Sequence, residues 1–377
     1  LKNEADSTGS YIFLHSSNEM YGADKILLEV LQSLPERDRV HSEVWLPDDL
    51  PGSDRKLTAE LDLLAIQNGI EALPVLRRRY LTLRGIFPLM GRTWRTFRAL
   101  RRSKPELVYC TTSAMVFCLP LAKLAGVKKT VLHLQEIWTP KEAWLLGLAA
   151  RFADNILCIS TAARASLPEP LKMRSSLLTN AHRETSAPMV PHESLNGPLR
   201  FLVASRWNSW KGHASLLSAW DTATNPPGDL IILGGPPSMG NGVDVRGIAG
   251  GLRHSASISV VGEVSGISDY LDKVDFLVLP SDKPEPFGLV LLESFARGRP
   301  VIASRAGGVL DIVVDGANGR LFEMGNTAQL HDILAGVNRE KAIALGRQAR
   351  KDFEERFSIE SYQARFRNLW NEIVRDG

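Results

Sequence analysis

The chain has 377 residues, is 44% hydrophobic and 23% charged, and carries a formal net charge of +3. That length suits two domains of ordinary size, and that composition excludes disordered, collagen-like and disulfide-scaffold classes. No apolar run reaches the roughly eighteen residues of a membrane-spanning helix, and no leader pattern opens the chain, so a cytoplasmic protein is expected.

In chain order, YIFLHSS (11–17) is the first strand candidate. NEMYGADKILLEVLQSL (18–34) follows, with Ile26, Leu27, Val30 and Leu31 on one helical face. ELVYCTTS (106–113), KTVLHLQE (129–136) and NILCIS (155–160) are further short runs rich in β-branched residues, with helical stretches such as AWLLGLAARFA (143–153) between them. This alternation predicts βα units on a parallel sheet. The pattern breaks at ETSAPMVPHESLNGP (184–198), whose three prolines predict an interdomain linker over 186–198. It then restarts with strand candidates LRFLVAS, DLIILGG, SISVVGE, DFLVLPS, RPVIASR and GRLFE. The expected fold class is therefore α/β: two Rossmann-like domains (1–185 and 199–358) with parallel sheets facing a central cleft. A closing amphipathic helix over 359–377 is expected to pack back on the first domain.

The cysteines Cys110, Cys118 and Cys158 show no CxxC spacing and the eight histidines no HxxxH pair. Neither a disulfide frame nor a metal site is expected.

Ligands of open parallel sheets bind beyond the carboxyl ends of the strands, and chemistry-bearing residues gather there in the second half. In SDKPEPFGLVLLESFARGRPVIASRAGG (281–308), Glu285 lies in a loop after a strand and Glu293 inside an apolar helical run. Pro286 suits the first helical position and Gly298 the end of that helix. Gly307 and Gly308 follow the next strand. Each residue has an ordinary structural reading: Glu285 beside a helix start, Glu293 paired with Arg297, the glycines in a turn. Their convergence on one edge suggests more. Arg206 and Lys211 in FLVASRWNSWKGH reach the same edge, where a guanidinium fork and an ammonium suit a diphosphate. Carboxylates accept hydrogen bonds from vicinal hydroxyls, so two of them suit a sugar and a ribose. Helix-start amides over Phe287, Gly288 and Leu289 add to the anion site. The implied ligand is a nucleotide-diphosphate sugar.

The ordered set from PEPFGLVLLES through GRPVIAS and AGGVLDIV to NGRLF resembles the signature of glycosyltransferase family 4, retaining enzymes of the GT-B fold. SRWNSWKG resembles that family's arginine–lysine motif. The resemblance implies that Glu285 contacts the donor sugar, Glu293 holds the ribose, and Arg206 and Lys211 stabilise the departing diphosphate. It places the nucleobase by Gly262, Val264 and Ser265, and has Gly22 admit the backbone to the diphosphate. It implies a UDP- or GDP-sugar donor, a glycan or lipid-linked acceptor, retention of anomeric configuration, and no metal or other cofactor. Positive side chains then supply the charge stabilisation that a metal gives elsewhere. The chain departs from the family where a histidine is often found near the donor sugar. Gln135 is the equivalent here, His133 reads as a core residue, and Glu136 is an acceptor-side candidate. Two alternatives remain: a nucleotide-sugar epimerase on the same architecture, and a non-catalytic nucleotide-sugar or polysaccharide-binding protein.

Arg77–Lys104 holds ten basic residues and no acidic one, leaving the remainder with 35 basic against 42 acidic residues. Within it Met90, Trp94 and Phe97 share a helical face. The stretch is either a surface helix packing its aromatics on the sheet or a contact for an anionic membrane surface from the cytoplasmic side. No nucleic-acid motif accompanies the charge.

Overall fold

Short β-branched runs form strands here, and every strand pair between named strands is parallel. The structure, a computed structural model, describes residues 10–50, 55–77, 80, 82, 84–184, 189–237 and 241–375. The chain divides into two units, Leu1–Thr179 with Gln363–Gly377, and Asn180–Tyr362.

In unit 1, β1 (Tyr11–Leu14), β2 (Ser42–Pro47), β3 (Gln67–Glu71), β4 (Leu107–Cys110), β5 (Lys129–Leu134), β6 (Asn155–Cys158) and β7 (Ser175–Leu177) form one sheet, ordered β3-β2-β1-β4-β5-β6-β7. Its helices are α1 (Gly22–Ser33), α2 (Glu36–Arg39), α3 (Lys56–Leu63), α4 (Ile86–Ser103), α5 (Cys118–Leu124), α6 (Pro140–Ala150), α7 (Thr161–Ala165) and α8 (Glu169–Lys172). β1, β4 and β5 are buried along their whole length, as strands covered on both faces must be. α1 buries Ile26, Leu27, Val30 and Leu31, the face its periodicity predicts. β2, β3 and β7 are not among the sequence expectations. β3 (QNGIE) has one large apolar residue and lies at the sheet edge, so it carries no run to detect.

In unit 2, β8 (Arg200–Ala204), β9 (Asp229–Leu233), β10 (Ile258–Gly262), β11 (Phe276–Leu279), β12 (Val301–Ser304) and β13 (Gly319–Phe322) are ordered β10-β9-β8-β11-β12-β13. Its helices are α9 (His213–Thr222), α10 (Val245–Gly250), α11 (Ser268–Leu271), α12 (Leu289–Ala296), α13 (Val309–Ile312), α14 (Thr327–Gly336) and α15 (Arg339–Asp352). Phe201 stacks on Phe276 at 5.8 Å and meets Trp220 edge-on at 5.5 Å. These rings anchor β8 and β11 to α9.

The closing helix α16 (Ile359–Arg375) gives its last residues, from Gln363, to unit 1. There Trp370 stacks on Phe13 at 6.3 Å and its Nε1–H donates to Asp38 at 2.8 Å. The division between units falls between Thr179 and Asn180, ahead of the expected linker. Residues 186–188 of that linker lie outside the described residues. Its remaining part packs on unit 2 through His192, whose Nε2 lies 3.1 Å from Asp275.

Asp275 is fully buried and holds this corner together. Its carboxylate accepts from Arg339 Nε at 2.8 Å and from the Arg200 backbone N–H at 2.9 Å, with His192 beside it. Burial alone would raise its pKa, but the bonds from His192, Arg339 and the Arg200 amide outweigh that and hold it well below the usual range. A depressed carboxylate stabilises the fold above the unfolded-state pKa, and that contribution is lost as pH falls through the folded pKa. Asp275→Asn should lose about 3 kcal/mol at neutral pH and flatten the acid limb of the stability curve below about pH 4. Urea unfolding across pH checks both.

Candidate functional site

Unit 2 changes direction at β8. The chain moves to β9 on one side, while β11 joins β8 on the other. Connections diverge there, and at such a switch point loops leave a crevice for a ligand at the carboxyl edge. The loop after β8 carries Arg206 and Lys211, and the loop after β11 carries Glu285. Arg206 is exposed and Lys211 half-buried.

Glu285 is only 4% exposed. Its Oε1 accepts from Lys211 Nζ at 2.7 Å and from the Ser281 hydroxyl. The same ammonium lies 4.2 Å from the centre of the Trp210 ring. Burying an ion pair costs desolvation that its attraction recovers only with good geometry and further hydrogen bonds. The two loops are built for that geometry. Asp282 N–H donates to Trp210 O at 2.8 Å, and the Ser215 hydroxyl donates to the Asp282 carboxylate at 2.9 Å. Gly212, at φ 72°, packs so closely that a Cβ there would sit 1.7 Å from Pro280 O.

The glycine pair holds the other flank. Gly308 N–H donates to Glu285 O at 2.7 Å. A Cβ on Gly307 would come within 2.2 Å of that same oxygen. This contact explains why Pro286 does not begin the helix. Glu285 pairs with Gly307 as an isolated parallel bridge, which draws the loop out until Gly288, left-handed at φ 98°, turns it into α12 at Leu289. The helix-start amides therefore begin at Leu289 rather than Phe287. The Phe287 side chain is core, packed edge-on to Phe357 at 6.4 Å. Glu293 is half-buried one turn into α12, about 6 Å along its axis. Arg297, its sequence-based partner, sends Nε to Asp272 at 2.8 Å. Gly262 ends β10 at φ 114° and accepts from Gly234 N–H at 2.8 Å. Val264 and Ser265 follow it in an accessible loop on the same sheet edge.

Unit 1 has its own switch point, between β1 and β4, and a cluster there that the sequence reading passed over. His15 is fully buried, with Nδ1 2.6 Å from Thr111 Oγ1 and Nε2 3.0 Å from Asp24 Oδ1. Asp24 also accepts from Ser17 Oγ and from Tyr21 N–H at 3.0 Å. Burial would raise its pKa, but His15, Ser17 and the Tyr21 amide outweigh that and lower it. The cluster fixes the turn that brings Gly22, the exposed first residue of α1, to the edge. The available signal was a histidine just past the end of β1 followed by an aspartate in the first turn of the next helix.

Gln135 and Glu136 follow β5 at this edge. Gln135 Nε2 donates to Thr111 O at 2.9 Å. Trp138 Nε1–H donates to Ser113 Oγ at 2.7 Å, which commits the Ser113 hydroxyl proton to Glu136 Oε2 at 2.6 Å. The amides of Ser113 and Gln135 bond the same oxygen at 3.2 Å. Burial still pushes the Glu136 carboxyl above its usual range, against the pull of Ser113 and the Gln135 amide. His133 is buried, lies 3.0 Å from Tyr109 Oη, and is pushed by burial down to about 3, so it stays neutral.

The family model "Glycosyl transferases group 1" matches residues 189–355. That stretch is similar to a group 1 glycosyl transferase domain. The matched stretch contains Arg206, Lys211, Glu285 and Glu293. Over 240 residues the chain is 30% identical to the uncharacterized glycosyltransferase MJ1178 of Methanocaldococcus jannaschii, covering 62% of this chain and 64% of that one. It is 30% identical to N-acetyl-alpha-D-glucosaminyl L-malate synthase of Bacillus anthracis over 31% of each chain. In both cases the match spans less than two thirds of the relative's own length. Among solved structures, Anabaena HepE in complex with UDP-glucose is similar at TM-score 0.77 and 19% identity, over 97% of this chain and 100% of that one. Sucrose-phosphate synthase from Thermosynechococcus elongatus is similar at TM-score 0.74, 18% identity, over 98% and 100%. The fold is GT-B: two α/β domains, each on a parallel sheet.

A carboxylate with a raised folded-state pKa stabilises the protein at low pH and loses that contribution as pH rises through the raised value. Glu136→Gln keeps an oxygen for the three donors and removes the charge. Its melting temperature should exceed the wild-type value at pH 8, and the gap should close toward pH 4; differential scanning calorimetry reads both.

Proposed function

We propose that the protein is a retaining glycosyltransferase that moves a sugar from a UDP- or GDP-sugar to a glycan or lipid-linked hydroxyl without a metal. The observation that carries this reading is the pair of half-buried Lys211 and buried Glu285 at the switch-point edge of the stretch that the group 1 model matches. The HepE structures contain UDP and UDP-glucose, which supports a nucleotide-sugar donor for a chain of the same fold.

The chemistry follows from charge. Breaking a sugar–diphosphate bond builds negative charge on the leaving oxygen. Donors already aimed at that position stabilise it without reorganising during reaction. Arg206 offers a guanidinium fork and Lys211 a compact ammonium. Lys211 is already held at one end by Glu285, so an arriving diphosphate gives it a second anionic partner rather than requiring it to leave the first. Glu285, with Oε1 tied to Lys211 and Ser281, turns its remaining capacity to hydroxyls of the donor sugar. Glu293, on α12, serves the ribose hydroxyls. The leaving phosphate takes the acceptor proton on the face where the bond breaks, so retention needs no protein nucleophile. Glu136, fixed through Oε2, presents its other oxygen to the acceptor side.

Glu285→Gln should lower turnover about 10²–10³-fold, with Kd for the nucleoside diphosphate changed less than about threefold. Single-turnover rates and calorimetric titration separate the two. Transfer at the wild-type rate in this variant rejects the reading.

Glu293→Ala should weaken nucleoside diphosphate binding about 10–100-fold, the worth of hydrogen bonds to a charged group. Unchanged affinity for both UDP and GDP would remove Glu293 from the ribose site.

A further inference from the structure

Strand order decides which helices of unit 1 share a face. The steps β3 to β4, β4 to β5 and β5 to β6 all cross the sheet in one direction. Right-handed crossovers therefore place α4, α5 and α6 on one face, and α4 touches α5 as α5 touches α6. The steps β1 to β2 and β2 to β3 run the other way and place α1 and α3 on the opposite face.

The outward side of the α4–α6 layer is strongly apolar at one end. On α4, Phe87 is 75% exposed, Met90 62% and Trp94 58%; on α6, Trp144 is 72% exposed. Phe87 and Trp94 are exposed rather than packed on the sheet, and the residues that α4 buries are Thr96 and Leu100. Trp94 lies against Phe97 of its own helix at 5.6 Å. Towards the C-terminus the stripe becomes basic. Arg95, Arg98, Arg101 and Arg102 are exposed and make no ion pair among the described residues. They repeat at three- and four-residue spacing, where like charges repel, and α4 has no acidic residue to relieve them. Not all of the basic stretch is free in this way. Arg92 pairs with Asp48 and Arg77 with Asp49, while Arg78 and Arg79 lie outside the described residues. A hollow of about 550 Å³ at the C-terminal ends of α4 and α5 is lined by Arg101, Lys104 and Lys128, with Glu106.

We propose that the outer face of α4, α5 and α6 docks on an anionic lipid bilayer. Charge complementarity selects this occupant. The arginine array lacks counter-charge within the protein, and the hollow presents cations to a headgroup phosphate. Phe87, Trp94 and Trp144 are amphipathic or apolar rings of the kind that settle at headgroup depth. No helix among the described residues is long and apolar enough to cross a membrane, so the contact is one of surface. α4 and α6 begin at the carboxyl edge of their sheet, which sets the apolar end of the face beside the edge that carries Glu136. In the transferase reading, this brings a lipid-borne acceptor to the site; the docking itself stands apart from that reading.

Co-sedimentation of the full chain with phosphatidylcholine vesicles, with and without phosphatidylglycerol, tests it. Wild type should bind the anionic vesicles at least about tenfold more tightly, and high salt should release it. Arg95→Glu/Arg98→Glu/Arg101→Glu should abolish the preference, and Trp94→Ser/Trp144→Ser should weaken binding. Arg95→Gln/Arg98→Gln/Arg101→Gln, with circular dichroism and nucleotide titration alongside, separates lost docking from lost folding. Equal binding to both vesicle types, or unchanged binding by the arginine variants, overturns the proposal. A vesicle-free dimer dispersed by the tryptophan variant overturns it in favour of a second copy of the chain. Transfer to a soluble acceptor is read separately and fails only with the transferase reading.

Discussion

Lys211 and Glu285 lie 74 residues apart in the chain and 2.7 Å apart in space. Each would be costly to bury alone, and removing one partner leaves the other as an uncompensated charge. Much of the surrounding architecture serves to make the pair tolerable. The loops after β8 and β11 are tied backbone to backbone at Trp210 and Asp282. Gly212 admits one loop against the other, and Gly307 and Gly308 admit the Glu285 backbone against the end of β12. Side chains at those three positions would push the carboxylate off its partner. Such crowding around two charges is a local cost that the rest of the fold must offset.

The two units solve the same problem with different materials. In unit 2, a salt bridge lies where the β8 and β11 connections diverge. In unit 1, a buried histidine and aspartate lie where those of β1 and β4 diverge. Both are polar groups at the carboxyl edge of a parallel sheet, where strands end and backbone amides lose their ladder partners. Glu136, held by Ser113 and backed by Trp138, extends the unit 1 edge along the sheet. Its raised pKa marks a carboxylate kept at a desolvation cost, as functional groups often are.

The outer face of α4 follows a different logic. A helix that buries two small portions of its surface and exposes tryptophan, methionine, phenylalanine and four arginines gains little from its own sheet. Its amphipathicity is directed outward. The sequence periodicity that groups Met90, Trp94 and Phe97 was visible from the start, but which way that face points is decided by β3 crossing β1 and β2 to reach β4.

The alternation of short β-branched runs with amphipathic stretches determined two parallel α/β halves, because each pattern buries its apolar residues in one way. The spacing from Glu285 to Glu293, with glycines after the next strand, determined that these residues gather at one carboxyl edge of the second sheet. Sequence could not reveal β3, whose polar residues form a strand only because β2 offers a ladder. Nor could it place the helix start, since Pro286 suits the first turn and only the bridge from Glu285 to Gly307 delays it to Leu289. His15 and Asp24 drew no reading from the sequence, and Thr111, 96 positions from His15, closes the cluster. Local pattern determines which elements form, because burial and backbone geometry act within a few residues. Pairing of charges across distant loops is a property of the packed sheet, and only the tertiary structure decided it.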